Sequence, residues 1–179
     1  MSSLNSETNN ILITSAGKNY ALVNTFQEAA QTLGLYAKVY TCDMEPDKTT
    51  ANFVSDGSFT VPRITSEDYM QDLQSICLGN NVTVVIPTAE KELPIMSANK
   101  DIFAKIGITI LTPDYDFVMK CKDSHQFDGY LEKLGIDIDV SQQMGNYKTL
   151  VDTCFTKDDF AERVLKKYLL NGKKGYLDA

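Results

Sequence analysis

Apolar positions repeat with two different periods along this chain, and the switches between them mark out its elements. Ile11-Leu-Ile-Thr14 is a short apolar run bounded by polar residues. The Ser15-Ala-Gly-Lys18 turn follows, and then Leu22, Phe26, Ala29, Ala30 and Leu33 fall at helical spacing. This pattern predicts strand, turn and helix. Gly34 suits the helix end, and Tyr36-Ala-Lys-Val-Tyr40 reads as a second strand finishing at Asp43. Asp47 to Asn52 is expected to be irregular surface, and Ser58-Phe-Thr-Val61 a third strand stopped by Pro62.

Thr65 and Asp68 have capping-box spacing ahead of Tyr69, Leu73, Ile76 and Cys77, and Gly79-Asn-Asn81 ends that helix. Val82-Thr-Val-Val-Ile86 is the clearest strand, β-branched and nearly continuous, as burial on both sheet faces requires. Pro94 fits the first turn of a helix carrying Ile102, Phe103 and Ile106, and Gly107 precedes the strand Ile108-Thr-Ile-Leu111. A short helix is expected around Phe117 to Cys121 and a longer one over Phe127, Tyr130, Leu131 and Leu134, ended by Gly135. A further strand is expected at Tyr147 to Val151, and a final helix capped by Thr156 and Asp159 through Phe160, Val164, Leu165 and Tyr168.

Five strands separated by helices over about the first 112 residues predict an α/β open, mostly parallel sheet with helices on both faces and a short C-terminal helical extension. Ligands of such sheets bind outside the carboxyl ends of the strands. The turns Ser15 to Asn19, Asp43 to Pro46 and Pro87 to Glu92 are therefore the candidates. The expected organisation is a polar tail over 1–10, one domain over 11–135 and an extension over 136–179.

Composition narrows the function. The chain has 179 residues and a formal charge of −7, from 17 Lys plus Arg against 24 Asp plus Glu. That balance argues against a phosphate-backbone partner. The polar opening and the lack of any apolar run near 20 residues argue against a secretory leader or a membrane span, so a cytoplasmic location is expected. Cys42, Cys77, Cys121 and Cys154 are too widely spaced for a C-x-x-C site and read as reduced thiols, with Lys120 and Lys122 as possible activators of Cys121. His125 is the single histidine, and no residue is assigned to a metal.

The T-S-A-G-K-N turn offers backbone N–H groups and a helix N-terminus to an anion, with Lys18 beside it. It also reads, and more readily, as a tight turn without a ligand. Neither glycine fingerprint is met, since Leu12 and Asn19 stand where a P-loop needs Gly and Ser or Thr. Asp43 is either a ribose-type acceptor or a solvated strand-end carboxylate. Thr88, Glu90 and Glu92 project toward the ligand edge, although acidic residues also suit a helix start through its dipole.

The ordered segments I-L-I-T-S-A-G-K (11–18), C-D-M-E-P (42–46), F-T-V-P-R-I-T (59–65), V-V-I-P-T-A-E-K-E-L (84–93) and G-I-T-I-L-T-P (107–113) resemble the N-terminal pre-ATP-grasp domain of carbamoyl-phosphate-synthase large-chain-like proteins. The resemblance covers roughly residues 10 to 135. It implies a Rossmann-like domain of an ATP-dependent carboxylate–amine or carboxylate–thiol ligase. Such a ligase works through an acyl phosphate with ATP and Mg2+, both held mainly by the ATP-grasp module. Ser15, Gly17, Lys18, Asp43, Thr88, Glu90 and Glu92 would lie on the substrate side, facing a small-molecule substrate.

Two departures qualify the resemblance. The family's Asp-Lys pair is here Asp123-Ser124, leaving Lys122, two residues earlier, as the nearest nucleotide candidate. The segment 136–179 reads as the start of a truncated or absent ATP-grasp module, and Gly172-Lys-Lys-Gly175 as a basic tail. Catalysis is thus expected only once the missing ATP-grasp module completes the domain, and the expected partners are an ATP-grasp partner chain or a homo-oligomer. The alternative reading is a non-catalytic module that binds a small anionic metabolite or a partner protein.

Overall fold

The computed structural model describes residues 9–122 and 157–170. Five parallel strands form one sheet: β1 (Asn10–Thr14), β2 (Val39–Asp43), β3 (Gly57–Thr60), β4 (Val82–Pro87) and β5 (Thr109–Ile110). Their order is β3-β2-β1-β4-β5, with β1 in the centre. The connecting helices are α1 (Tyr20–Thr32), α2 (Thr50–Val54), α3 (Tyr69–Gly79) and α4 (Leu93–Ala104), and α5 (Tyr115–Lys122) follows β5. A last helix, α6 (Lys157–Leu165), runs on into a π-helical turn over Lys166–Leu170.

Successive side chains of a strand point to opposite faces, and β1 uses both for burial. Ile11 and Ile13 join Val84, Ile86, Val23 and Phe26 in a cluster on the α1 face, where α6 and the π-helical turn after it add Ala161, Val164, Leu165 and Leu169. Leu12 joins Val85, Cys42, Tyr69, Leu73 and Phe103 on the α3 and α4 face. Ile11, Leu12 and Ile13 are fully buried, a contribution of about 2 kcal/mol each from apolar area removed from water. Both faces are therefore covered by helices, as the apolar runs of β1 and β4 require.

Two helix ends are closed in the same way. After α1, Gly34 takes φ 65°, its N–H donates to the Gln31 carbonyl, and the Leu35 N–H donates to that of Ala30. After α4, Gly107 takes φ 80°, with Gly107 donating to Ala104 and Ile108 to Phe103. These are Schellman closures, and the left-handed residue is glycine because a Cβ is costly there.

Several boundaries differ from expectation. The second strand starts at Val39 rather than Tyr36, whose side chain is 89% exposed. The stretch expected to be irregular around Asp47 to Asn52 holds a 3-10 turn, Pro46–Lys48, and then α2, which puts Ala51 into the core. A five-residue helix is too short to declare a period. The capping box at Thr65 and Asp68 does not form: Asp68 precedes α3 without a side-chain cap bond. The expected features at 123–156 and 171–179 lie outside the described residues, among them the Phe127–Leu134 helix, the Tyr147–Val151 strand, Thr156 as a cap, Asp123, Ser124, His125, Cys154 and the Gly172–Gly175 tail.

Candidate functional site

Strand order reverses between β1 and β4, and in an open parallel sheet the crevice at such a switch point is where ligands bind. Thr14 ends β1 and Pro87 ends β4, directly paired in register. The chain leaves β1 through Ser15, which has φ 49° and ψ 36°. This left-handed conformation costs a residue with a Cβ roughly 1–2 kcal/mol. A 3-10 turn, Ala16–Lys18, follows and leads into α1, with the Asn19 N–H donating to the Ala16 carbonyl at 2.6 Å.

Long-range hydrogen bonds hold Ser15 in place. Its hydroxyl donates to Glu92 Oε1 at 2.6 Å, and the Thr14 hydroxyl donates to Glu92 Oε2 at 2.8 Å. The Thr88 hydroxyl lies 2.8 Å from the carbonyl of Thr14 and 2.9 Å from that of Ser15, shared between the two. From α3, the Tyr69 hydroxyl donates to Glu92 Oε1 at 2.8 Å. Glu92 is 1% exposed, while Glu90 and Lys91, in the same 3-10 turn, are exposed. The turn thus divides its acidic residues, one inward and one outward.

The end of β2 meets the same turn. Gly17 N–H donates to Asp43 Oδ2 at 3.2 Å, and Asp43 Oδ1 accepts from the Met44 N–H at 2.7 Å. A Cβ on Gly17 would stand 2.9 Å from Asp43 Oδ2 and 3.0 Å from Thr49 Cγ2. Close approach rather than a positive φ therefore explains this glycine. Asn52 braces the neighbouring loop by donating to the Pro46 carbonyl at 3.0 Å.

Electrostatics fix the protonation of the neighbours. Burial, then the Glu92 carboxylate, pushes the Tyr69 hydroxyl far above its ordinary range. Burial, followed by Glu92, Cys77 and Asp43, raises the Cys42 thiol well above its usual value, and burial pushes Cys77 up to about 12. These thiols stay protonated near neutral pH, so neither serves as a thiolate nucleophile. Cys121 is exposed, and its shift is also upward, against the lowering that Lys120 and Lys122 suggested.

The structure accordingly brings Ser15, Gly17, Asp43, Thr88 and Glu92 into one hydrogen-bonded cluster, with Glu90 on its outer rim and the Lys18 backbone ending its first turn. Lys122 is exposed at the end of α5, which packs on α4. Tyr69 is the member that the sequence pattern assigned only to the core. A buried tyrosine needs an acceptor for its hydroxyl, and that is the signal which marks it. Among the described residues no group of three or more His, Cys, Asp or Glu could hold a metal ion, and no helix is long and apolar enough to cross a membrane.

The family model described as PylC-like, N-terminal domain matches residues 11–111, more than half of the 179-residue chain. No curated protein is matched by sequence. Among solved structures, the biotin carboxylase domain of a single-chain bacterial carboxylase superposes with TM-score 0.52 at 18% identity, covering 72% of this chain and 29% of that one. Rhizobium etli pyruvate carboxylase gives 0.52 at 20% identity, covering 72% and 12%. The biotin carboxylase domain of Hydrogenobacter thermophilus 2-oxoglutarate carboxylase, in complex with MgADP, ADP and bicarbonate, gives 0.50 at 13% identity, covering 70% and 27%. The chain spans about three tenths or less of each relative. These structural likenesses show the Rossmann-like fold that the sequence resemblance implied, and the family match is to an N-terminal domain.

Proposed function

This chain belongs to the PylC-like N-terminal domains, and from that premise we propose that it forms the substrate-side wall of an ATP-dependent carboxylate–amine ligase of the carbamoyl-phosphate-synthase-like kind. The observation that carries the reading is the position of the cluster. Three strand-end turns, after β1, β2 and β4, are hydrogen-bonded together at the switch point of the sheet. Ser15, Gly17, Lys18, Asp43, Thr88 and Glu90 form the wall, with Glu92 behind it.

The described residues do not themselves fit a nucleotide and its metal. The Gly17 N–H already donates to a carboxylate, and no acidic group of the size a metal needs is present among them. We assign ATP and Mg2+ to an ATP-grasp module, supplied by a partner chain or by further sequence, and this domain to binding and orienting the small-molecule substrate. Enclosing that substrate beside the activated carboxylate contributes through proximity. The filled Gly17 amide also counts against a module that captures a free anionic metabolite.

The test is reconstitution. The chain alone should release no ADP from MgATP, whereas the chain with an ATP-grasp module should release ADP in response to a carboxylate and an amine. Lys18→Ala and Glu90→Ala should each raise KM for the substrate about tenfold, the equivalent of 1.4 kcal/mol. Turnover by the chain alone, or unchanged KM in both variants, would overturn the assignment.

A further inference from the structure

Glu92 is the most deeply buried carboxylate of the cluster, and its described partners are three hydroxyls from three different elements: Thr14 at the end of β1, Ser15 in the turn and Tyr69 at the start of α3. Three hydroxyl donors satisfy its two oxygens without any ligand. Neither oxygen is turned outward for a substrate. The residue it touches in the turn, Ser15, carries the strained backbone angle, and Thr88 braces the same residue from its carbonyl side. Strain of this kind persists only where surrounding groups over-determine it.

We propose that Glu92 is a positioning residue and not a substrate contact: with Tyr69 beneath it, it clamps the Ser15 hydroxyl and so sets the path of the Ser15–Lys18 turn, which presents Gly17 and Lys18 at the wall. The proposal rests on the reading of this edge as a ligand wall. It gives the buried side of the cluster a task distinct from that of the exposed side. The chemistry that touches substrate is left to the outward residues, and the selectivity for one turn geometry is left to a carboxylate that a ligand never reaches.

The geometry makes the amide of Gly17 a reporter, because its hydrogen bond to Asp43 exists only while the turn keeps its path. Amide exchange and backbone chemical shifts of residues 15–17 are measured by NMR on the full chain, with the Ile13 and Val85 amides of the sheet as internal references. Glu92→Leu keeps a side chain of similar size and removes both acceptor oxygens, and with them all three hydrogen bonds. It should speed exchange at Gly17 about tenfold or more relative to the sheet amides, the loss expected when one favourable contact is gone. Glu92→Gln keeps an amide oxygen for Ser15 and Tyr69 and should stay near wild type. Adding Ser15→Gly to Glu92→Leu should restore the Gly17 signal, since glycine takes the left-handed conformation without a clamp.

Ser15→Ala serves where Glu92→Leu fails to fold. It removes only the clamped hydroxyl of a half-buried residue, and it should release Gly17 in the same way, while Ser15→Gly should not. A purely structural role would slow or speed all amides together and would show no rescue by glycine. Unchanged Gly17 exchange in Ser15→Ala, or a uniform loss in Glu92→Leu with no rescue, overturns the proposal. These readouts need no ligand, so they are independent of the wall assignment. A turn that opens as expected, in a reconstituted enzyme whose KM ignores Lys18 and Glu90, keeps the clamp and discards the wall.

Discussion

At Gly34 and Gly107 the chain enters the left-handed region with a residue that has no side chain, and each helix closes through its own backbone amides within five residues. At Ser15 the chain makes the same excursion with a side chain present, and the groups that hold it come from Thr88 and Glu92, more than 70 residues further on. Local chemistry suffices where only a helix must end. Where two strands and a turn must be brought to one place, the conformation is imposed from a distance. The first kind of turn is a property of a few adjacent residues, while the second is a property of the folded sheet.

The largest test of this contrast is Glu92→Ala. It removes the carboxylate that accepts from three hydroxyls and opens a cavity, so it should cost roughly 3–5 kcal/mol and lower the melting temperature by roughly 10 °C in thermal unfolding. Gly34→Ala and Gly107→Ala should each cost about 1–2 kcal/mol, read as a lower urea midpoint with unchanged slope, because each acts only on its own helix end. Ser15→Gly, by contrast, trades a lost hydrogen bond against relieved strain and should change the midpoint by less than either. Equal losses at all three positions would erase the distinction.

The buried core between the sheet and α3 should respond to pH. The Cys77 thiol is raised from 9.0 to about 12 in the folded chain, and Cys42 is raised as well. Their stabilising effect is complete below pH 9 and is lost as pH climbs from 9 toward 12, where the unfolded chain releases protons that the folded chain keeps. Each thiol then removes up to about 1.4 kcal/mol per pH unit from the unfolding free energy. Urea midpoints measured from pH 8 to 11 should fall accordingly, and Cys77→Ala should flatten the slope. The smallest effect is expected at the surface. Lys48→Ala breaks an ion pair to Glu45 whose side chains are 70% and 65% exposed, and it should shift stability by no more than about 0.5 kcal/mol.

Much of the fold was legible because its signals are local. β-branched runs gave β1 and β4, the 3.6-residue period gave α1, Pro94 marked the start of α4, and Gly34 and Gly107 marked helix ends. α2 escaped because five residues with one core alanine have no period to read. At the site, the three turns were readable from strand order, but the inward turn of Glu92 was not. Glu90 and Glu92 look alike in sequence, and what separates them is Tyr69, Thr14 and Ser15, which lie 23, 78 and 77 residues away. Tyr69 itself was hidden by its own apolar face, which placed it correctly in the core and concealed the use of its hydroxyl.

The docking of α6 on α1 has a consequence for the order in which the protein is made. Ala161, Val164, Leu165 and Leu169 cover part of the same apolar surface as Val23, Phe26 and Ala30, yet they are synthesised about 130 residues after α1 is complete. At about 5–20 residues per second, the ribosome takes on the order of 10 s to deliver that cover. Throughout that interval the part of α1 that these residues bury lacks their cover on the nascent chain. Apolar surface left without its cover in this way makes translation speed a factor in the competition between folding and association.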